Sequence, residues 1–301
     1  MMSFIKRIGA YLFLALYLLS PGVGQAADKV FMWKADNGRG AIYLLGSIHT
    51  ADKSFYPMDP AIMAAFDRSS RLVVEVDIKN QDQQALQQML LMKGFYSDGD
   101  SLDKHISEET QKAIVKYLDG NEMMMQVVGR MRPWAVYVTL EEMEMRKVGL
   151  DPTLGIDLHF LEKASEEGKK ISELESMEMQ LELLAGFADD LQENLIMMTI
   201  TDTSKRRDSV GSIIFAWKSG NAPLMENLVF ASLKDDPKME PVYEKMFFLR
   251  NAEMADNIAR MAARGETIFV VVGAGHLVGD RGVVQLLKNK GYSITQQTSA
   301  K

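Results

Sequence analysis

Toward both ends of the chain, apolar residues gather in short continuous runs bounded by turn residues; through the middle they recur at three- and four-residue spacing. Residues 30–50, VFMWKADNGRGAIYLLGSIHT, carry two apolar segments around Asp36-Asn37-Gly38 and predict a β-hairpin with an Asn-Gly turn. Its second segment is continuously apolar, as a strand buried on both faces would be. In DPAIMAAFDRSS, Asp59 can cap a helix and Pro60 can take its first position. RLVVEVDI, residues 71–78, reads as the next strand, so a strand, a helix and a strand form a crossover unit within about 40 residues.

Residues 107–120, 133–149, 155–170, 175–200, 209–220 and 241–265 all carry the helical period. Ser107, followed by Glu108 and Glu109, marks one helix start. KKISELE, between two helices, fits a short strand. The chain closes with strand TIFVVVGAGH, helix GDRGVVQLLKNKG stopped by Gly291, and strand YSITQQ. The expectation is an α/β (α+β) single domain. Its central, mixed sheet draws on N- and C-terminal strands, and a large helical region fills the middle.

Residues 1–26 stand apart. Lys6 and Arg7, an apolar run from Ile8 to Leu19, Pro21 and small residues up to Ala26 have the layout of a cleaved secretory signal, leaving a domain over 27–301. The run is shorter than the roughly 20 residues a membrane span needs, so no permanent span is expected after cleavage; an uncleaved anchor is the alternative. An exported protein, periplasmic or secreted, follows. Its net charge of -7 argues against nucleic-acid binding, which needs clustered Lys and Arg. The absence of cysteine removes disulfides, thiolate ligands and a cysteine nucleophile. Methionine is abundant at 22 residues, and Met123 to Met125 are a dense cluster. Copper binding there is weighed against flexible core filling, which suits methionines at helical spacing better.

The chain has four histidines, and two of them, His49 and His276, each stand three residues after a glycine (Gly46, Gly273) that ends an apolar run. Side chains at such positions project over strand ends, where sheet proteins commonly hold ligands. On pattern alone, two hydrogen-bonded turn histidines remain an equal alternative. Glu75, expected inside an apolar strand with Asp77 on the same face, shifts the balance, because burying a lone carboxylate costs several kcal/mol. It needs either an arginine partner such as Arg132 or a metal. A site of two histidines and one carboxylate around a reactive water answers the second need.

These segments, with Gly155 and Asp157, with Leu174, Glu175, Glu178 and Gln180, and with Arg250 and Asn251, resemble the TraB/GumN family, related to the Tiki proteins. The resemblance covers essentially all of residues 27–301. It implies a divalent-metal-dependent hydrolase, a protease or peptidase acting on a protein or peptide substrate of the cell envelope. His49 and His276 would be metal ligands, and Glu75 a ligand or the base. Asp157 and Glu175 would complete or orient the set, and Arg250 and Asn251 follow from the family pattern alone. Arg132 would stabilise an oxyanion or pair with a buried carboxylate. Manganese, cobalt, zinc and iron all suit such donors.

His159 is expected on a helix surface and His105 in solvent. A serine hydrolase is disfavoured, since no GxSxG occurs and Ser47 lacks an evident base. Gly273, Gly275 and Gly279 imitate a dinucleotide fingerprint, but the acidic residue about 20 positions on is missing, so no such cofactor is expected. A non-catalytic exported factor for envelope or polysaccharide assembly is the alternative function.

Overall fold

The computed structural model describes residues 28–201, 203–235 and 239–300. The expected leader, residues 1–26, lies outside them. Among the described residues no helix is long and apolar enough to cross a membrane.

The predicted hairpin forms. Strands β1 (Lys29–Asp36) and β2 (Ala41–Ser47) pair antiparallel from Met32↔Leu45 to Asp36↔Ala41. Asp36 Oδ1 accepts from the Gly38 N–H at 2.8 Å, and Gly38 takes the positive φ of 79° that its turn requires. Helix α1 (Pro60–Arg68) starts as expected, with the Asp59 carboxylate accepting from Ala61 N–H at 2.8 Å. It is followed by β3 (Arg71–Val74), α2 (Gln83–Gly94) and α3 (Glu108–Tyr117), then by α4 (Pro133–Lys147), α5 (Ile156–Glu166) and β4 (Lys170–Glu173).

Residues 175–200, which read as one helical segment, break at Gly186 into α6 (Met177–Ala185) and α7 (Asp189–Thr201). Next come α8 (Thr203–Lys218) and α9 (Ala222–Val229). The helical stretch from residue 240 contains a π turn over Glu244–Phe248 before α10 (Leu249–Ala262). Strand β5 (Ile268–Gly273), α11 (Ala274–Leu277), α12 (Val283–Asn289) and β6 (Ser293–Thr298) complete the chain.

The strands form one six-stranded mixed sheet in the order β4-β3-β5-β2-β1-β6. Strand β3 pairs parallel with both β4 and β5, and β5 with β2, whereas β1 pairs antiparallel with both of its neighbours, β2 and β6. N- and C-terminal strands therefore join in one sheet, as expected, and the structure adds that they interleave. Ile268, Phe269 and Val270 are successive residues pointing to opposite faces, and none is exposed, so helices cover both faces of β5. The rings of Phe66 on α1 and Phe160 on α5 meet Phe269 at 5.5 and 4.9 Å. A second apolar cluster holds the helical middle together through Leu102, Ile114, Val136, Leu140 and Ile196. Met124 and Met125 pack against it, which accounts for them as core filling, while Met123 is exposed.

One strand differs from its predicted extent in a way that matters. β3 stops at Val74, so Glu75 stands just beyond the strand rather than within it. Inside the sheet its carboxylate would face apolar neighbours; past the end it meets donors from the next strands. Asp77 does not join it on a shared face. Its carboxylate turns back to accept from the Lys79 and Asn80 N–H groups and closes a local turn.

Candidate functional site

In the sheet β3, β5 and β2 are neighbours, and their carboxyl ends deliver Glu75, Gly273 and Ser47 to one edge. The cleft there has a volume of 440 Å³, and His49, Glu75, Arg250 and His276 line it. Three side chains meet around Gly273, and a side chain there would touch all of them. A Cβ on it would sit 3.3 Å from Glu75 Oε1, 3.5 Å from His276 Cδ2 and 3.6 Å from His49 Nε2. Gly46 does a different job, since a Cβ there would lie 2.5 Å from the Phe31 ring, and its carbonyl accepts from Trp217 Nε1 at 2.6 Å. Gly155 lets α5 abut the first histidine turn, where a Cβ would strike the His49 carbonyl at 2.4 Å.

The two histidines are anchored in the same way. His49 Nδ1 lies 3.0 Å from Asp157 Oδ1, at the start of α5. His276 Nδ1 lies 2.6 Å from Asn251 Oδ1 on α10, and Asn251 Nδ2 in turn donates to the Arg281 carbonyl at 2.9 Å. With Nδ1 of each ring committed as a donor, the lone pair of a neutral imidazole is on Nε2. Their surroundings differ. Burial pushes the His276 pKa down to about 4. The Asp157 carboxylate pulls that of His49 up to about 9, although water screens part of this pull because the ring is 63 % exposed.

Glu75 is fully engaged. Oε1 accepts from the Gly273 N–H at 2.6 Å and is 3.7 Å from His276 Nε2; Oε2 accepts from Arg250 Nη2 at 3.1 Å and Gln180 Nε2 at 3.3 Å. Burial alone would raise its pKa, but His276, His49, Arg250 and the Gly273 N–H together outweigh that and hold it well below the usual carboxylate range. Arg250 also grips Glu175 through Nε at 2.7 Å and Nη2 at 2.8 Å, and Gln180 bridges the two carboxylates. The remaining guanidinium nitrogen donates to the Met246 carbonyl, 2.7 Å away in the π turn. Such wide turns are frequent at functional sites.

The sequence-predicted residues therefore fall into two places. His49, Glu75, His276, Gly46, Gly273, Asp157, Glu175, Arg250 and Asn251 are together. Arg132 is elsewhere: it caps α4, lies 4.9 Å from the Tyr96 ring centroid and lines a separate cleft with His105. The arginine that meets Glu75 is Arg250, because α10 returns to the sheet edge and α4 does not. His105 is not simply solvated; it stacks on Tyr96 at 4.4 Å and bonds Asp100 at 3.0 Å. His159 is half-buried between Tyr56 and Phe160 rather than on a helix surface. Sequence reasoning assigned no role to Gln180, although it stands in the motif with Glu175, and none to Trp217, which no local pattern marks.

Three carboxylates (Glu75, Glu175, Asp157) against one guanidinium leave this cluster formally at -2 when both imidazoles are neutral. That charge, the Nε2 lone pair each ring offers once it is neutral, and the second lone pair of Glu75 Oε1 fit a divalent cation in kind. In position the fit is incomplete: among the described residues no group of three His, Asp or Glu side chains is closed around a metal-sized space. His276 Nε2 and Glu75 Oε1, at 3.7 Å, are near the roughly 3.4 Å between two ligands of a tetrahedral ion with bonds of about 2.1 Å.

An α/β sheet with this cluster at the carboxyl ends of its parallel strands defines the class, and similarity assigns the family. The chain belongs to the TraB/PrgY/gumN family, which it matches over residues 31–296. It is 23% identical to the uncharacterized protein YbaP of Escherichia coli (strain K12) over 253 residues, 83% of this chain and 89% of YbaP. It is 22% identical to metalloprotease TIKI2 of Danio rerio over 328 aligned positions, 90% of this chain and 62% of that protein. A metalloprotease TIKI homolog of Amphimedon queenslandica is 39% identical over 59 residues, 19% of this chain and 12% of the homolog. No solved structure shows significant similarity.

Proposed function

We propose that the protein is a divalent-metal-dependent hydrolase of peptide bonds, exported to the periplasm or beyond, with residues 27–301 as the working domain. The observation that carries this reading is the meeting of His49, Glu75 and His276 over the missing side chain of Gly273, each imidazole tied back through Nδ1. The metalloprotease relatives support the same chemistry.

When bound, the ion supplies Lewis acidity and brings the pKa of a water toward neutrality. His49 Nε2, His276 Nε2 and Glu75 Oε1 would hold it. Asp157 and Asn251 keep the two rings turned so that Nε2 faces the cleft. Glu75 acts as a ligand rather than as the base: both its oxygens accept hydrogen bonds, and its low pKa makes it a weak proton acceptor near neutral pH. Arg250, tied to Glu75 and Glu175, stops either carboxylate from swinging away.

Manganese, cobalt and zinc titrations of the wild type, His49→Ala and His276→Ala test the reading. The expected outcome is about one ion per chain, weakened about tenfold or more by each substitution, together with metal-dependent cleavage of peptide substrates. A wild type that binds no ion, or variants that bind it equally well, would overturn the hydrolase and leave the binding factor for envelope assembly as the better account.

A further inference from the structure

The cleft has two sides of opposite character. Its floor is the polar cluster. Its wall comes from α6, α8, α9 and the π turn, through Leu183, Leu184, Ile213, Val229 and Phe247. These five side chains are half-buried, so each packs on the protein and still offers surface to the opening. The wall runs up to the histidine itself. The Phe247 ring centroid is 5.1 Å from that of His276. Gly275 makes room for this contact, since a Cβ on it would lie 2.9 Å from Phe247 Cε1 and 3.2 Å from Val229 Cγ1.

A second observation comes from Ser47. It is the last residue of β2 and the parallel register partner of Gly273, so its side chain leaves the sheet on the same face as the gap where the three site residues meet. Ser47 is 2 % exposed and lines the cleft, and its Oγ has no hydrogen-bond partner. A buried hydroxyl without a partner is destabilising, and a ligand amide would satisfy it.

Charge is the third. Among the described residues lining the cleft, the one permanent cation is Arg250, already gripped by Glu75 and Glu175. The wall side chains Leu183, Leu184, Ile213, Val229 and Phe247 carry no charge at all. A charged side chain or chain end laid against that wall would lose its water and gain no counter-ion there.

From the apolar wall, the unpartnered Ser47 hydroxyl and the absence of charge along that wall together, we infer that the cleft takes an internal, uncharged segment of polypeptide. A large aliphatic or aromatic side chain lies against Leu183, Leu184, Ile213, Val229 and Phe247, and a backbone carbonyl beside it accepts from Ser47 Oγ. The inference rests on the hydrolase reading for its catalytic meaning, but not for its binding. Ser47 is then a substrate-contacting donor and not a nucleophile, which agrees with the lack of any base bonded to it.

The test is a set of acetylated and amidated nonapeptides, identical except for Leu, Phe, Ala, Asp or Lys at the centre, plus the Leu peptide with free ends. Each is titrated onto the full chain with and without manganese, and each mixture is then searched for cleavage by mass spectrometry. Capped Leu and Phe peptides should bind about tenfold or more tightly than the Asp and Lys ones, as expected from burying one large apolar side chain. Free ends should weaken binding. Phe247→Ala should narrow the gap between Leu and Ala. Ser47→Ala should weaken all capped peptides by a similar factor of about five, the size of one hydrogen bond, with Ser47→Thr restoring it.

Equal affinity for Leu and Asp, a preference for free ends, or no binding to any peptide would overturn the inference. Apolar-selective binding without cleavage would sustain it and sink the hydrolase reading. Cleavage without side-chain preference would do the reverse.

Discussion

The two GxxH turns are built from the same four-residue pattern and end in opposite environments. His49 is 63 % exposed and leans on a carboxylate, Asp157; the His276 side chain is 6 % exposed and leans on a neutral amide, Asn251. The first partner favours the imidazolium, and the second leaves burial to favour the neutral ring. Both arrangements nevertheless direct Nε2 at the same space. A motif thus sets where a histidine points, while the element that packs behind it sets its charge.

The comparison breaks hardest at the buried end. Arg250→Met would leave Glu75 and Glu175 beside each other without their shared cation. Losing one partner of a buried ionic cluster costs about 3–5 kcal/mol. Urea unfolding of the metal-free protein should register a loss of that size. A change below about 1 kcal/mol would mean the cluster is far wetter than its burial indicates.

Next in size is the acid limb of stability. The folded pKa of His276 is about 4, below the 6.5 of an unfolded histidine. Its contribution is therefore complete above pH 6.5 and disappears as pH falls through 4. A shift of this size corresponds to about 3 kcal/mol. Glu75, also lowered, adds loss in the same direction at still lower pH. In chelator-treated protein, His276→Gln should flatten the decline between pH 6.5 and 4; an unchanged slope would assign that decline to other groups.

The exposed end should respond least and with the opposite sign. The raised pKa of His49 stabilises below pH 6.5 and is lost as pH rises through about 9. With its ring mostly in water the gain is below about 1 kcal/mol. Asp157→Asn should return the His49 titration toward 6.5, as read from its ring proton shifts in NMR, with little change in melting temperature. Should the titration stay near 9, Glu75 rather than Asp157 would be its source.

Much of this was legible along the chain because it is local. The β1–β2 turn, the Asp59 cap and both glycine–histidine turns depend on residues within a few positions of one another. The end of β3 was not legible, because RLVVEVDI keeps a strand-like alternation past Val74, and its stop is set by where Leu174 and Glu175, just after β4, and Gly273 supply donors. Arg132, the example of a partner that the sequence suggests for Glu75, is not the arginine found there, because charge type alone cannot choose between two arginines that differ in which helix returns to the sheet. Gln180 carried a signal in its motif, whereas Trp217 carried none.

By itself the sequence determined the alternation of strands and helices, a sheet drawn from strands at both ends of the chain, and residue types able to bind a metal. Short-range sterics, capping and periodic burial are enough for that. Only the tertiary structure decided which arginine neutralises Glu75, which face of the cleft is apolar, and which histidine stays neutral. Those outcomes depend on contacts between residues far apart in the chain, such as Glu75 with Gly273, 198 positions on. Their energies come from burial and charge pairing, which no local pattern encodes.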